Sequence, residues 1–178
     1  LVFQNPRQQF FAPTVEAEMG YALYEQGKRR AVIREKIDAV CRQLDLAAET
    51  LARPPQRLSG GEQLKVALGS VLLLGPDVLV LDESLTALDS LARQRVLALL
   101  KTLQQEGLTL ITVTHRLSRF PHFTQAAWLE AGRFDLYERN QVPERWLPDI
   151  ARIGVRLLGR RLFEVDALAG ALIARRRA

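Results

Sequence analysis

The hydrophobic and polar positions of this chain fall into two periods. Through residues 31–46 the apolar side chains Ile33, Ile37, Val40, Cys41 and Leu44 recur at helical spacing, with Arg30, Arg34 and Arg42 off the stripe. That pattern predicts an amphipathic helix. A second helix is predicted from about Gly60 to Leu74, opened by Ser59 and ended by Gly75-Pro76-Asp77. Gly69-Ser70 in its middle predicts close packing on a neighbouring element. The period then changes. Val78-Leu79-Val80-Leu81 is an unbroken apolar run, which suits a strand buried on both faces of a parallel sheet. Residues 108–113 read the same way and suit a central position. Between these strands Ser90 is placed to cap a helix with apolar Leu91, Val96, Leu99, Leu100 and Leu103, stopped by Gly107. Leu1-Val2-Phe3 reads as the end of another apolar strand.

Further on, residues 126–130 predict a strand that Gly132 turns into a hairpin arm with Phe134 and Leu136. Pro143 and Pro148 each suit a helix start. Ile150, Ile153, Leu157 and Leu158 give one apolar face there, and Val165, Leu168, Ala169, Leu172 and Ile173 another. Strands alternating with helices make this an α/β chain. Its 178 residues suit one domain, or one with a small appendage. The single cysteine, Cys41, excludes an intramolecular disulfide, and its place on the apolar stripe points to core packing. No apolar run is long enough to span a bilayer, and no signal-peptide pattern is visible. The only methionine is Met19 and the chain opens inside a strand, which suggests a fragment or a processed piece.

Charge refines the picture. Residues 1–57 carry +2, residues 58–132 carry −1 and residues 133–178 carry +4. The basic excess at the two ends permits contact with anionic lipid headgroups or acidic partner surfaces. Aromatic residues are sparse and no nucleic-acid motif occurs, so no nucleic-acid partner is expected. A solvated basic surface is the ordinary reading.

Four places carry candidate chemistry. Ser59 followed by Glu62 is a capping box, and Gly60 and Gly61 leave the first-turn N–H groups bare, which suits an anion such as phosphate. Asp82 and Glu83 fall at the carboxyl end of an apolar strand, where open α/β sheets bind ligands. Adjacent strand residues point to opposite sides, so one carboxylate can hold Mg²⁺ through water while the other orients or deprotonates an attacking water. Gln4 follows a strand end and offers an amide oxygen to a metal or water. His115 follows another. Each has an ordinary reading too: a capped helix, a solvated acidic strand end, a turn-stabilising glutamine and a structural histidine.

Together, in this order, the pieces resemble the ATP-binding-cassette ATPase family. Leu58-Ser59-Gly60-Gly61-Glu62 resembles its signature motif and residues 78–83, VLVLDE, its Walker B strand with the catalytic glutamate. Ala87-Leu88-Asp89 resembles the D-loop, Val113-Thr114-His115 the switch histidine, and residues 1–6, LVFQNP, the Q-loop. The run FQNPRQQFFAPTVEAEM is similar to energy-coupling-factor importers and related cobalt and nickel systems, in which F-Q-N-P-x-x-Q-x-F-x-x-T-V-x-x-E recurs. The resemblance implies a P-loop-NTPase-like parallel sheet, incomplete here, with a helical subdomain over about residues 14–75. It places the cassette in residues 1–132 and a helical, subunit-pairing extension in residues 133–178. It implies ATP and Mg²⁺ as cofactors. By the same resemblance Glu83, His115 and Gln4 are catalytic, Asp82 and Gln4 serve the metal, and Ser59, Gly60, Gly61, Glu62 and Asp89 contact nucleotide across a dimer. The implied partners are a second ATPase subunit and a membrane-embedded coupling subunit touched by the segment around Phe10 and Phe11. The implied place is peripheral, on the cytoplasmic face of the cell membrane.

The chain departs from the family in two ways. It holds no P-loop, G-x-x-x-x-G-K-S/T: Gly27-Lys28 is its only Gly-Lys pair, with Arg29 next and Ala22 where the first glycine belongs. In the family the P-loop precedes the Q-loop. Ser84 stands where the family usually has proline. The expected function is the ATP-hydrolysing subunit of an importer of a vitamin or transition-metal ion, with the chain inactive alone. The alternatives are a non-catalytic cassette partner and a soluble cassette ATPase acting on nucleic acid or ribosomes.

Overall fold

A computed structural model describes residues 1–114, 123–130 and 132–143. The chain divides into two compact units, Leu1–Thr114 and His115–Ala178.

In the first unit three helices, α1 (Val15–Glu25), α2 (Arg30–Leu44) and α3 (Gly60–Leu72), pack on one another. Met19, Ile33, Ile37, Leu44, Leu64 and Leu68 form their shared core and are fully buried. The stripe read from residues 31–46 is the buried face of α2, and Cys41 lies in it. Burial pushes the Cys41 thiol up, away from thiolate chemistry. Gly69 makes the packing of α3 possible: a Cβ there would meet Met19 Cε at 2.7 Å and Val40 Cγ1 at 3.2 Å. The close approach expected of Gly69-Ser70 is therefore present. Helix α2 ends at Asp45 in the left-handed conformation (φ 54°), with Leu46 N–H donating to Cys41 O at 2.9 Å. Lys65 Nζ of α3 donates to Asp45 O at 2.9 Å, and Arg95 of α4 (Ser90–Gln105) pairs with the Asp45 carboxylate.

Strands β1 (Val78–Asp82) and β2 (Thr109–Val113) pair in parallel through the crossover α4, and Val2 bridges Leu81 on the other side of β1. β1 is thus the middle of three segments. The expectation of burial on both faces is corrected. Leu79 and Leu81 are 0% and 1% exposed, whereas Val78 is 49% exposed. On β2, Ile111 and Val113 are about half exposed as well. The register pairs Val80 with Ile111 and Asp82 with Val113, so these exposed side chains share one sheet face. Among the described residues, a second layer covers the opposite face.

The cap of α4 is also corrected. The residue before the helix is Asp89, whose carboxylate accepts from Ala92 N–H at 2.9 Å, and Ser90 is its first turn. Leu91, one of the helix's apolar positions, sits in that turn and is exposed.

In the second unit β3 (Gln125–Glu130) and β4 (Arg133–Glu138) form the expected antiparallel hairpin, with Gly132 at φ +76° in the turn. Gln125 Nε2 donates to Glu138 Oε1 at 2.7 Å, and the Arg139 guanidinium lies 5.6 Å from the Phe123 ring centre. The helices expected from Pro143 and Pro148 onward lie outside the described residues.

Candidate functional site

The start of α3 is built as its sequence requires. Ser59 Oγ accepts from Glu62 N–H at 3.3 Å, while the Glu62 carboxylate accepts from both Ser59 N–H and Ser59 O–H at 2.8 Å. The Ser59 hydroxyl, and then its backbone N–H, hold the Glu62 carboxyl below its usual range. Gly60 and Gly61 follow with N–H groups that no intrahelical acceptor can reach. Both glycines lie against the D-loop-like segment: a Cβ on Gly61 would stand 3.6 Å from Ala87 O, and one on Gly60 3.8 Å from Ala87 Cβ. The segment leads into Asp89, whose carboxyl the Ala92 N–H holds below its ordinary range. Signature-like and D-loop-like residues are therefore neighbours, although about 27 positions separate them in the chain.

The carboxylate pair stands at the end of β1. Asp82 is half-buried on the face shared with Val113. Glu83 departs from the strand geometry expected of it. Its backbone is left-handed (φ 48°, ψ 9°), a region that L-residues other than glycine seldom occupy. Three hydrogen bonds pin it there. Glu83 N–H donates to Val113 O at 3.0 Å, and Glu83 O accepts from Thr86 N–H at 3.3 Å and Thr86 O–H at 2.9 Å. Ser84 follows, 1% exposed, with its hydroxyl unpartnered. The peptide before it has turned out of the sheet, and this places the small polar side chain inside.

The Asp82 carboxylate makes no hydrogen bond or ion pair among the described residues, and those residues form no cluster of three or more metal-ligating side chains. Such a donor set fits Mg²⁺, which keeps several waters and takes one or two carboxylates together with phosphate oxygens. It does not fit a metal that needs an all-protein cage.

Gln4 is exposed beyond the bridge from Val2 to Leu81. The turn-stabilising task falls to a different glutamine. Gln9 Oε1 accepts from Phe3 N–H at 3.1 Å, and Gln9 Nε2 donates to Leu1 O at 3.3 Å. The other fixed letters of the FQNP run also cap backbone. Asn5 Oδ1 accepts from Arg7 N–H at 3.2 Å and Thr14 Oγ1 from Ala17 N–H at 3.2 Å. Glu18, buried, accepts from Phe11 N–H at 3.0 Å and Ala12 N–H at 2.8 Å. Phe11 is held 64% exposed, and Phe10 is half-buried.

One connection was not anticipated. Arg7 Nε donates to Gln63 Oε1 at 3.2 Å, and the buried Gln63 donates to Pro55 O at 3.1 Å and Gln56 O at 3.4 Å. This ties the Q-loop-like turn to the second turn of α3. The fixed positions of the FQNP pattern were a signal for Gln9 and Glu18, whereas Arg7 and Gln63 had none. The structure thus places Ser59, Gly60, Gly61 and Glu62 beside the turn before Asp89, and Asp82 with Glu83 at the strand end. His115 lies outside the described residues.

Comparison with known proteins gives this geometry a setting. A family profile described as "ABC transporter" matches residues 1–86. The energy-coupling factor transporter ATP-binding protein EcfA1 of Latilactobacillus sakei is 34% identical over 89% of this chain and 54% of its own length. Among solved structures, CbiO1 of Clostridium perfringens, part of the ABC transporter complex CbiONQ, superposes with a TM-score of 0.69. It is 27% identical, over 88% of this chain and 62% of that one. A bacterial ABC transporter cassette solved as a dimer gives a TM-score of 0.66 at 24% identity, over 76% of this chain and 62% of its own, a likeness of fold. The chain spans about half the length of the curated relatives it matches. Over that span, by motif order, fold and sequence likeness together, the chain belongs to the ATP-binding-cassette family of ABC transporter ATPases.

Proposed function

We propose that this chain is a portion, from the Q-loop onward, of an ATP-hydrolysing subunit of an energy-coupling-factor-type importer, one that powers uptake of a vitamin or transition-metal ion at the cytoplasmic face of the membrane. The observation that carries the reading is Glu83, pinned in a left-handed conformation beside the half-buried Asp82. Backbone held in a sparsely populated region, with the surroundings fixing it, is characteristic of reacting sites. The likeness to energy-coupling factor ATP-binding proteins supplies the importer class.

Phosphoryl transfer to water needs positioning and charge stabilisation more than covalent help. Asp82 would hold Mg²⁺ through water, and Gln4 would reach the same metal from the neighbouring segment. Glu83 would polarise the attacking water. Ser59 and the Gly60 and Gly61 amides would bind the terminal phosphate of a nucleotide held by a second cassette, with Glu62 yielding its hydrogen bond to the Ser59 hydroxyl. Asp89 would fix the contact between cassettes, and His115 would stabilise the transition state. The cassette would span residues 1–132, with residues 133–178 as an extension that pairs subunits. Exposed Phe11 suits a socket for the coupling subunit.

The 178 residues contain no P-loop, so the isolated chain is expected neither to bind ATP tightly nor to turn it over. Steady-state phosphate release by the purified chain tests this. Appreciable turnover that Glu83→Gln abolishes would overturn the inactivity. A second reading is a partner that only completes another cassette's site, through the capped start of α3 at Ser59. Mixed with an intact cassette, such a partner gives one active site per pair, lost with Ser59→Ala and unaffected by Glu83→Gln.

A further inference from the structure

The end of α1 and its turn into α2 present a surface that the nucleotide chemistry does not use. Tyr21 and Tyr24 lie at i and i+3 on α1, and Lys28, Arg29 and Arg30 follow across the turn into α2. Tyr21 is 47% exposed and Tyr24 38%, and the three cations are exposed. Phe11 meets Tyr21 edge-on, with ring centres 4.7 Å apart. Gly20 lets the Tyr24 ring lie across α1, since a Cβ there would meet Tyr24 Cε2 at 2.7 Å. Gly27 reverses the chain at φ +69° with nothing within 4 Å of where its Cβ would be. The local acids do not neutralise the patch. Arg34 takes Glu16 at 3.3 Å and Asp38 at 3.1 Å, and Lys28, Arg29 and Arg30 have no ion pair among the described residues. Over residues 21–36, Lys28, Arg29, Arg30, Arg34 and Lys36 face only Glu25 and Glu35.

We propose that this surface binds an anionic lipid bilayer directly, the cations meeting headgroup phosphates and the aromatic rings lying in the interfacial zone. Charge complementarity carries the choice of partner. Each exposed cation near an anionic leaflet strengthens binding about fivefold, so three act together on the order of a hundredfold. Tyrosine, with an apolar ring and a polar tip, favours the same depth. The inference rests on the membrane-side reading above for its purpose, but its test contains no nucleotide and no second protein, so the two fail separately.

The test is co-sedimentation of the chain with vesicles of phosphatidylcholine alone and with vesicles in which a third of the lipid is phosphatidylglycerol. Binding is expected to the anionic vesicles and to weaken with salt. The variant Lys28→Gln/Arg29→Gln/Arg30→Gln is expected to lose about a hundredfold and Arg29→Gln alone about fivefold. Tyr21→Ser/Tyr24→Ser is expected to lose several-fold on both vesicle types. Arg175→Gln/Arg176→Gln/Arg177→Gln controls for the basic tail. Equal binding to neutral vesicles, or a loss seen with the tail variant and not with the patch variants, overturns the proposal. So does a patch variant that keeps its full binding to the anionic vesicles.

Discussion

Replacing Glu83 by glycine and, separately, by alanine isolates the strain at the strand end. Both variants remove the same carboxylate and every contact it makes, so their difference reports the backbone. At φ 48° an L-residue bears about 1–2 kcal/mol of steric cost that glycine escapes. Glycine gives back about 0.4–1 kcal/mol through the greater freedom of its unfolded chain. The balance leaves Glu83→Gly more stable than Glu83→Ala by about 0.8 kcal/mol. For a chain of this size that is roughly 2–3 °C in Tm. In the interior of α4 the sign inverts, and Ala98→Gly is expected to lose about 1 kcal/mol. Thermal unfolding followed by circular dichroism measures both comparisons. If alanine at position 83 matches or exceeds glycine, Glu83 is not strained, and the observation that carries the proposed function is gone.

Ser84→Ala removes a buried hydroxyl with no partner and is expected to raise stability by about 1 kcal/mol, read from the urea-unfolding midpoint. A loss of stability would mean that the hydroxyl is bonded. The carboxyls of Glu62 and Asp89 lie below their ordinary ranges in the folded chain, so protonation opposes folding. Their contribution is fully present above about pH 4.3 and is lost as pH falls through the depressed folded values. Glu62→Gln is expected to flatten the acid limb of a stability-against-pH series, and an unchanged limb would show that the capping box does not form in solution.

Local signals are legible in the sequence wherever one residue sets one element. The capping box of Ser59 and Glu62, the stripe of α2, the close approach at Gly69 and the hairpin around Gly132 each express short-range chemistry that the order of residues contains. Choices between equals were not legible. Asp89 and Ser90 are both good helix caps, and only the path of the chain selects Asp89. Gln4, Gln8 and Gln9 have the same amide, and distance to the Phe3 and Leu1 backbone selects Gln9 for the turn. An apolar run reports that a strand can be buried, not how many layers lie over it, and Val78 is exposed. The conformation of Glu83 depends on Val113 and Thr86, one of which lies 30 positions away.

The bond from Arg7 to Gln63 has a consequence for timing. In the head-to-tail pair of the proposed function, the turn carrying Gln4 would serve a subunit's own nucleotide, while the helix opened by Ser59 would serve its neighbour's. Arg7 belongs to the first and Gln63 to the second, and Pro55 and Gln56 anchor the latter. A displacement of that turn would therefore be delivered within the same polypeptide to the start of α3. Under the proposed function, two cassettes built in this way would not fire as independent motors: the state of each site would set the clock of the other.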